Sequence, residues 1–295
     1  MKQNNFSFFR IKRKILTNNI KNLIIKQDLQ RYLTYNFLYK RYKSIIDSSK
    51  YESKKYKSKK VVWFCWFQGI DNAPSLVKLC FNKIKKIFKD YEIVLITAKN
   101  YSDYINIPNY IISKWEKGII SNTHFSDIIR IELLAEHGGI WIDSTVYCTC
   151  DNVPSYIESN SMFLFKQINL NRASKDIIVS SSWFIKANKN NPIILLTRDL
   201  LHEYWREAGR LVDYFILHLF FSMASKKYEK EWEAIPNFNN VNPHILQFEL
   251  GNKYNEERFK YYKKISDFHK LSYKFDFSLF QKSSNYDYIE RDIYE

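Results

Sequence analysis

The sequence predicts an α/β fold built on a parallel sheet, and three observations carry that reading. Val61 to Phe67 (V-V-W-F-C-W-F) is an unbroken apolar run, as expected of a central strand buried on both faces. Tyr91 to Thr97 (Y-E-I-V-L-I-T) reads as a second strand, and a helix opened by Pro74 and running to about Asp90 separates the two. Strand, helix, strand at this spacing indicates a right-handed parallel crossover. The third observation is the stretch from Asn122 to Cys150. It reads as a helix, the pair Gly138-Gly139, and a short buried strand Ile140-Trp141-Ile142 that ends on Asp143. A carboxylate at the carboxyl end of a buried strand is where open α/β sheets hold ligands.

Within that stretch Asn122, Thr123 or Ser126 is the expected helix cap. Phe125, Ile128, Ile129 and Leu133 recur at helical spacing and face a core. Gly138-Gly139 stops the helix, since glycine takes the left-handed C-terminal conformation without strain. Asp127 and Arg130 lie one helical turn apart, upstream of Asp143. Asp143-Ser144-Thr145 interrupts the chain before Val146-Tyr147-Cys148 resumes as strand. At a strand end Asp143 gains nothing from burial, so its replacement is expected to spare the fold.

Further on, Ser161 to Lys166 and Val179 to Lys186 read as strands, and Asn191-Pro192 opens a helix through Trp205. Asp213 and His218 fall in an otherwise apolar helix between Leu211 and Ala224. A buried Asp needs a partner, so Asp213 is either a site residue or a paired structural group. Asn242-Pro243-His244 reads as a loop. Gly251 to Glu295 is polar and rich in Tyr and Lys, reads as helical, and carries no legible chemical motif. The expected organisation is a basic helical extension and linker over 1–60, a main domain over 61–250, and a C-terminal helical segment over 251–295 packing on it.

Charge divides the chain in the same way. The whole sequence carries +15, but residues 1–60 hold 17 Lys or Arg against Asp28, Asp47 and Glu52, a net of +14. The remainder is close to neutral, which argues against nucleic acid as a partner, because that function needs a basic face on the folded domain. Ile11, Ile15, Leu16, Ile20, Leu23 and Ile24 approximate an amphipathic stripe beside Arg10, Lys12, Arg13 and Lys14. Two readings stay open for this segment: a solvated extension packed on the domain, or a helix lying on an anionic inner leaflet. Ser48 to Lys60 reads as a linker. Cys65, Cys80, Cys148 and Cys150 show no zinc spacing and read as buried reduced thiols. Met1 to Phe9 lacks a leader pattern and no apolar run is long enough to span a membrane, so a cytoplasmic location is expected.

The stretch from Ser126 to Thr145 resembles a motif of glycosyltransferases with the GT-A fold, a Rossmann-like nucleotide-sugar-binding fold. The motif, S-D-x-x-R-x-x-x-L-x-x-x-G-G-x-Y-x-D-x-D, occurs in the DXD sugar-binding mannosyltransferase family and in the glucosyltransferase domains of clostridial toxins. Ser126, Asp127, Arg130, Leu134, Gly138, Gly139 and Asp143 match in register, and Thr145 stands where the second aspartate is expected. The form W-I-D-S-T looks most like the bacterial capsular polysaccharide synthesis proteins, which commonly show W-I-D-A-T. The opening strand is also similar: I-I-H-x-x-W of these families aligns with Val61, Val62, Trp63 and Trp66.

The resemblance implies transfer of a hexose from a nucleoside diphosphate sugar, a UDP-sugar, to a growing capsular or other surface polysaccharide, with retention. The implied partners are that donor and a saccharide acceptor, which a lipid-linked form would join to the basic N-terminus at the inner face of the membrane. It implies Asp143 on ribose or sugar hydroxyls, with Asp127 and Arg130 on donor hydroxyls or phosphate. The alternative for Asp127 and Arg130 is a surface ion pair at i, i+3. It implies a divalent cation, Mn²⁺ or Mg²⁺, held by Asp143 and, through a neutral hydroxyl, by Thr145; His244 is a further candidate ligand, or a surface histidine. Trp66 takes the position of a tryptophan that stacks on the base; alternatively Trp63 and Trp66 are both core. Ser144 and Ser182 are candidate donor contacts, though Ser181 and Ser182 equally suit tight packing. The alternative functions are a catalytically inactive sugar-nucleotide-binding or scaffold subunit, which Thr145 permits, and a sugar-phosphate transferase.

Overall fold

The computed structural model describes residues 2–52, 59–168 and 177–291, so residues 53–58 of the expected linker lie outside the described residues. The N-terminal part is a helical hairpin, α1 (Lys2–Thr17) and α2 (Leu23–Ser48). Strand β1 (Val61–Cys65), helix α3 (Ser75–Ile87) and strand β2 (Glu92–Ile96) form the first crossover. Helices α4 (Asn109–Glu116) and α5 (Asn122–Glu136) lead into β3 (Gly139–Ile142) and β4 (Val146–Cys148). The short α6 (Ser155–Glu158) precedes β5 (Met162–Lys166) and β6 (Ser180–Ala187). Helices α7 (Pro192–Glu207), α8 (Ile216–Lys227), α9 (Glu229–Glu233), α10 (Asn242–Glu249) and α11 (Glu256–Ile265) follow, and then β7 (Phe268–Lys270) and α12 (Asn285–Arg291).

The main sheet has the order β2-β1-β3-β6-β5. β1 runs parallel to both neighbours, as the crossover spacing predicts, whereas β6 returns antiparallel against β3 and β5. Alternation along the strands divides the core. Trp63, Trp141, Leu164 and Ile185 face the helices α2, α5, α7 and α8. Val62, Phe64, Ile140, Ile142 and Phe184 face α3 and the small β4-β7 sheet. This α/β architecture, with a buried parallel centre, is the fold class that the sequence predicts.

Helix α5 is capped by Ser121, one residue ahead of the expected caps, whose Oγ accepts from the His124 N–H at 3.3 Å. The two glycines then turn the chain, with φ of 70° at Gly138 and 98° at Gly139. A Cβ at Gly139 would stand 2.5 Å from Val61 Cγ1 and 2.7 Å from Val61 O, so any larger residue would push β3 off β1. Trp63 is core, its indole donating to Gly138 O at 2.8 Å.

Several expectations need correction. The N-terminal aliphatic stripe is not one helix: the chain breaks after Thr17, and Asn22 caps α2 by accepting from the N–H groups of Ile24 and Ile25. Asp213 precedes α8 rather than lying inside it, and its Oδ1 accepts from Phe215 N–H at 2.9 Å. Asn242-Pro243-His244 opens α10 instead of forming a loop, because Asn239 Oδ1 accepts from the N–H groups of Val241 and Asn242 and Pro243 suits a first turn. The C-terminal segment is not purely helical, since β7 pairs antiparallel with β4. The hairpin is integral to the core: α2 buries Tyr35, Leu38, Tyr42 and Ile46, Phe6 of α1 meets Tyr204 edge-on, and Arg41 pairs with Glu207 at 2.6 Å.

Candidate donor site

Asp143 is the first residue past β3. Its N–H donates to Trp183 O on β6 at 2.8 Å, and its own carbonyl accepts from Val146 N–H at 3.0 Å, closing a tight turn. That turn fixes the direction of the carboxylate. Oδ1 accepts from Arg130 Nη2 at 2.9 Å and from Trp141 Nε1 at 2.8 Å. Oδ2 accepts from Lys270 Nζ at 2.9 Å, and the same ammonium donates to Thr145 Oγ1 at 2.7 Å. Asp127 Oδ1 lies 3.2 Å from Arg130 Nη1, and its Oδ2 lies 3.5 Å from His124 Nδ1. The Arg130 guanidinium also stacks over Trp141, 4.7 Å from the ring centre.

The cluster is therefore two carboxylates balanced by two cations. The side chain of Arg130 is 5% exposed and that of Asp143 23%, so these charges are held largely out of water. Burial pushes the Asp143 carboxyl up, but the charges of Lys270 and Arg130 and the hydrogen bonds from Trp141 and Lys270 outweigh it and hold it below the usual carboxylate range. Neighbouring groups stay neutral: burial takes Cys65 up to about 12 and His218, on α8, down to about 4.

Asp127, Arg130, Asp143 and Thr145 thus converge, as their spacing leads one to expect. The i, i+3 pair is no surface pair, because Arg130 is buried and bridges to Asp143. Trp66 follows β1, half-buried, with its N–H donating to Ile96 O at 2.9 Å. Its ring meets Tyr273 edge-on at 5.5 Å, and its indole N–H is buried without a hydrogen-bond partner among the described residues. Ser144 sits in the Asp143 turn, and Ser182 neighbours Trp183 on β6; both are partly exposed. Ser181 is structural, its hydroxyl donating to Phe165 O at 3.2 Å.

The expected metal set does not assemble. Lys270 takes Asp143 Oδ2 and the Thr145 hydroxyl, the two oxygens that would have to face an ion. His244 Nδ1 instead contacts Asn240 O at 2.8 Å and its ring meets Trp183 edge-on. Among the described residues no group of three or more His, Cys, Asp and Glu side chains is arranged to hold a metal. The donor set present does not fit a divalent cation. The cavity of about 290 Å³ lined by Tyr156, Asn237, Asn242, Lys263 and Asp267 includes none of the predicted contacts.

Lys270 and Tyr273 are the functional candidates that sequence reasoning missed. No sequence pattern marks them: Phe268-His269-Lys270-Leu271 shows no apolar–polar alternation, and the strand forms through its pairing with β4.

The parallel crossover and the returning antiparallel strand define an α/β protein with a mixed sheet, and the ion cluster lies at the end of its strand β3. The chain belongs to the capsular polysaccharide synthesis protein family, whose model matches residues 12–289. It is similar to the "O-glycosyltransferase braB" of Annulohypoxylon truncatum, 26% identical over 166 residues, 51% of this chain and 39% of that protein. The chain therefore spans about two-fifths of the length of that curated relative. Among solved structures it is similar to "PaToxG Glycosyltransferase", with 19% identity, a TM-score of 0.39, and coverage of 70% of this chain and 84% of the other.

Proposed function

We propose that this protein is a glycosyltransferase that moves a hexose from a nucleoside diphosphate sugar, a UDP-sugar, onto a growing capsular or related surface polysaccharide, with retention. The observation that carries the reading is the Asp127–Arg130–Asp143 cluster at the carboxyl end of β3, beside the half-buried Trp66. Family membership supports the polysaccharide context. In this reading Arg130 supplies donors to the sugar or phosphate: its Nε and Nη1 are buried and have no hydrogen-bond partner among the described residues, although Asp127 balances the charge. Asp127 and Asp143 orient that guanidinium, Ser144 and Ser182 contact the donor, and the Trp66 ring receives the base.

The test is calorimetric titration of a panel of nucleoside diphosphates and nucleotide sugars, followed by donor hydrolysis without acceptor. The expected result is binding of at least one nucleotide, lost in Arg130→Ala, with slow release of free sugar. Binding without hydrolysis or transfer would point to the inactive-subunit alternative. If no nucleotide binds, or if Arg130→Ala binds as well as the unaltered protein, the reading fails.

The same reading puts the enzyme at the inner face of the cell membrane, where a lipid-linked acceptor would be met. Its support is the hairpin surface: Ile15 is 68% and Ile24 70% exposed, among lysines and arginines that carry most of the chain's charge. Each basic residue near an anionic surface contributes about 1 kcal/mol. No helix among the described residues is long and apolar enough to cross a membrane. Deleting residues 1–60 would strip Tyr42 and Ile46 from the core, so the test is Ile15→Asn with Ile24→Asn. Co-sedimentation with phosphatidylglycerol vesicles should fall in that variant; equal partition of both proteins would reject the membrane role.

A further inference from the structure

We propose that Lys270 is the built-in cation of the donor site, its ammonium meeting the donor diphosphate where a related enzyme would use a divalent metal ion. The inference rests on the nucleotide-sugar reading above and adds a residue and a dependence to it.

Four observations converge. The first is the chemistry of position 145. A neutral threonine hydroxyl is a poor ligand for a hard dication but a good acceptor for an ammonium N–H. The second is geometry: Lys270 Nζ bridges Asp143 Oδ2 at 2.9 Å and Thr145 Oγ1 at 2.7 Å, so one charge spans both ends of the Asp-Ser-Thr turn. An ammonium has three N–H groups, and the third finds no partner among the described residues. The third observation is how the lysine is held. Lys270 stands opposite Val146 in the β4-β7 ladder, and Leu271 N–H donates to Thr145 O at 2.9 Å. The backbone that carries the cation is thereby fixed to the backbone that carries the turn. The fourth is the loop that follows. Three residues on, Tyr273 meets Trp66 edge-on at 5.5 Å. One short segment therefore links the phosphate end of the proposed site to its base end.

A metal ion would be opposed here. It would lie within a few ångströms of a fixed ammonium, and like charges at that range repel strongly in a partly buried site. Evicting Lys270 would in turn leave its charge without Asp143. A diphosphate needs no eviction, since it can accept from the unused N–H of Lys270.

The experiment is calorimetric titration with uridine and guanosine di- and monophosphates, each in excess EDTA and again in Mn²⁺. The proteins are the full-length chain, Lys270→Met and Lys270→Arg, with melting temperatures recorded for each. The expected result is that the unaltered protein binds a nucleoside diphosphate equally well in EDTA and in Mn²⁺. Lys270→Met should lose about tenfold or more in diphosphate affinity, the worth of one charge-assisted hydrogen bond, and much less for the monophosphate. Lys270→Arg should recover most of that loss. Three results overturn the proposal. Binding abolished by EDTA and restored by Mn²⁺ in the unaltered protein rejects it while the donor reading stands. That comparison decides even if Lys270→Met does not fold. Equal loss for mono- and diphosphate, with a lowered melting temperature and no rescue by Arg, makes Lys270 a counter-ion of Asp143 only. Absence of any nucleotide binding by the unaltered protein removes the donor reading, and this proposal with it.

Discussion

Replacing Asp143 by Asn probes the cluster most directly. The carboxylate accepts from Arg130, Trp141 and Lys270 at 2.9, 2.8 and 2.9 Å. An amide of the same shape keeps one acceptor oxygen, so its oxygen can serve Arg130 and Trp141 while its NH₂ faces the Lys270 ammonium, donor against donor. Arg130 and Lys270 are then left with Asp127 as the remaining carboxylate of the cluster. Removing one partner of a buried ion pair costs about 3–5 kcal/mol. The partial exposure of Asp143 puts this case at the low end, about 3 kcal/mol. For a chain of this size that is a fall in melting temperature of roughly 6–12 °C. This reverses the expectation from sequence that the substitution spares the fold. The assay is thermal unfolding followed by circular dichroism, alongside nucleotide titration. Because the native carboxyl is held below its ordinary value, its contribution is present above the unfolded value near 3.9 and is lost as pH falls through the folded one. The gap between the two proteins should therefore close at strongly acid pH. A variant melting within about 1 °C of the unaltered protein at neutral pH would refute the ion-cluster argument.

Trp66→Ala should weaken nucleotide binding by about 1–3 kcal/mol, the worth of one base stack. It should cost less stability than the about 3–5 kcal/mol of a fully buried Trp, since Trp66 is half-buried; unchanged affinity in a destabilised protein would reject the stacking role. Stability should also fall with pH between neutrality and about 4. Burial holds His269 and His218 neutral, both down to about 4, so the unfolded chain binds their protons first. The stability they confer is complete above the unfolded value near 6.5 and is lost as pH falls through about 4, on the order of 3 kcal/mol for the fully buried His269. Urea midpoints that stay flat from pH 7 to 4.5 would contradict this.

The sequence discloses what neighbours in the chain determine. Asp127 and Arg130 share a helix, and Gly138-Gly139 fixes how that helix meets β3, so their convergence on Asp143 is set within 17 residues. Trp63 and Trp66 are separated by strand alternation and by the end of β1, which leaves one in the core and the other beside the site. What stayed hidden depends on distant partners or on single polar caps. Lys270 lies 125 residues from Thr145, and no spacing rule connects them. The N-terminal stripe reads as one helix until Asn22 caps a second. The Asn-Pro pair before His244 reads as a loop until α10 is seen to start at Asn242, with Asn239 Oδ1 accepting from the N–H groups of Val241 and Asn242. Asp213 looks like a buried charge within a helix but lies just ahead of it, accepting from the backbone and standing 3.9 Å from Arg13.

The charge balance of the cluster bears on how it would attract its ligand. Asp127 and Asp143 offset Arg130 and Lys270, so the site presents little net charge to an approaching diphosphate. Attraction then has to come from unused donors rather than from a long-range field. Those donors are Nε of Arg130 and the third N–H of Lys270. Contacts of this kind act at hydrogen-bond distance, inside the screening length of about 8 Å at physiological ionic strength. Nucleotide affinity should accordingly change little with added salt. The N-terminal segment is the opposite case: +14 over residues 1–60 acts through solvent and is screened. Vesicle binding should collapse over a range of salt that leaves nucleotide binding in place, so one titration in sodium chloride separates the two surfaces. If nucleotide binding falls with the same slope as vesicle binding, the neutral-cluster argument is wrong and a net positive field, not directed donors, draws the donor in.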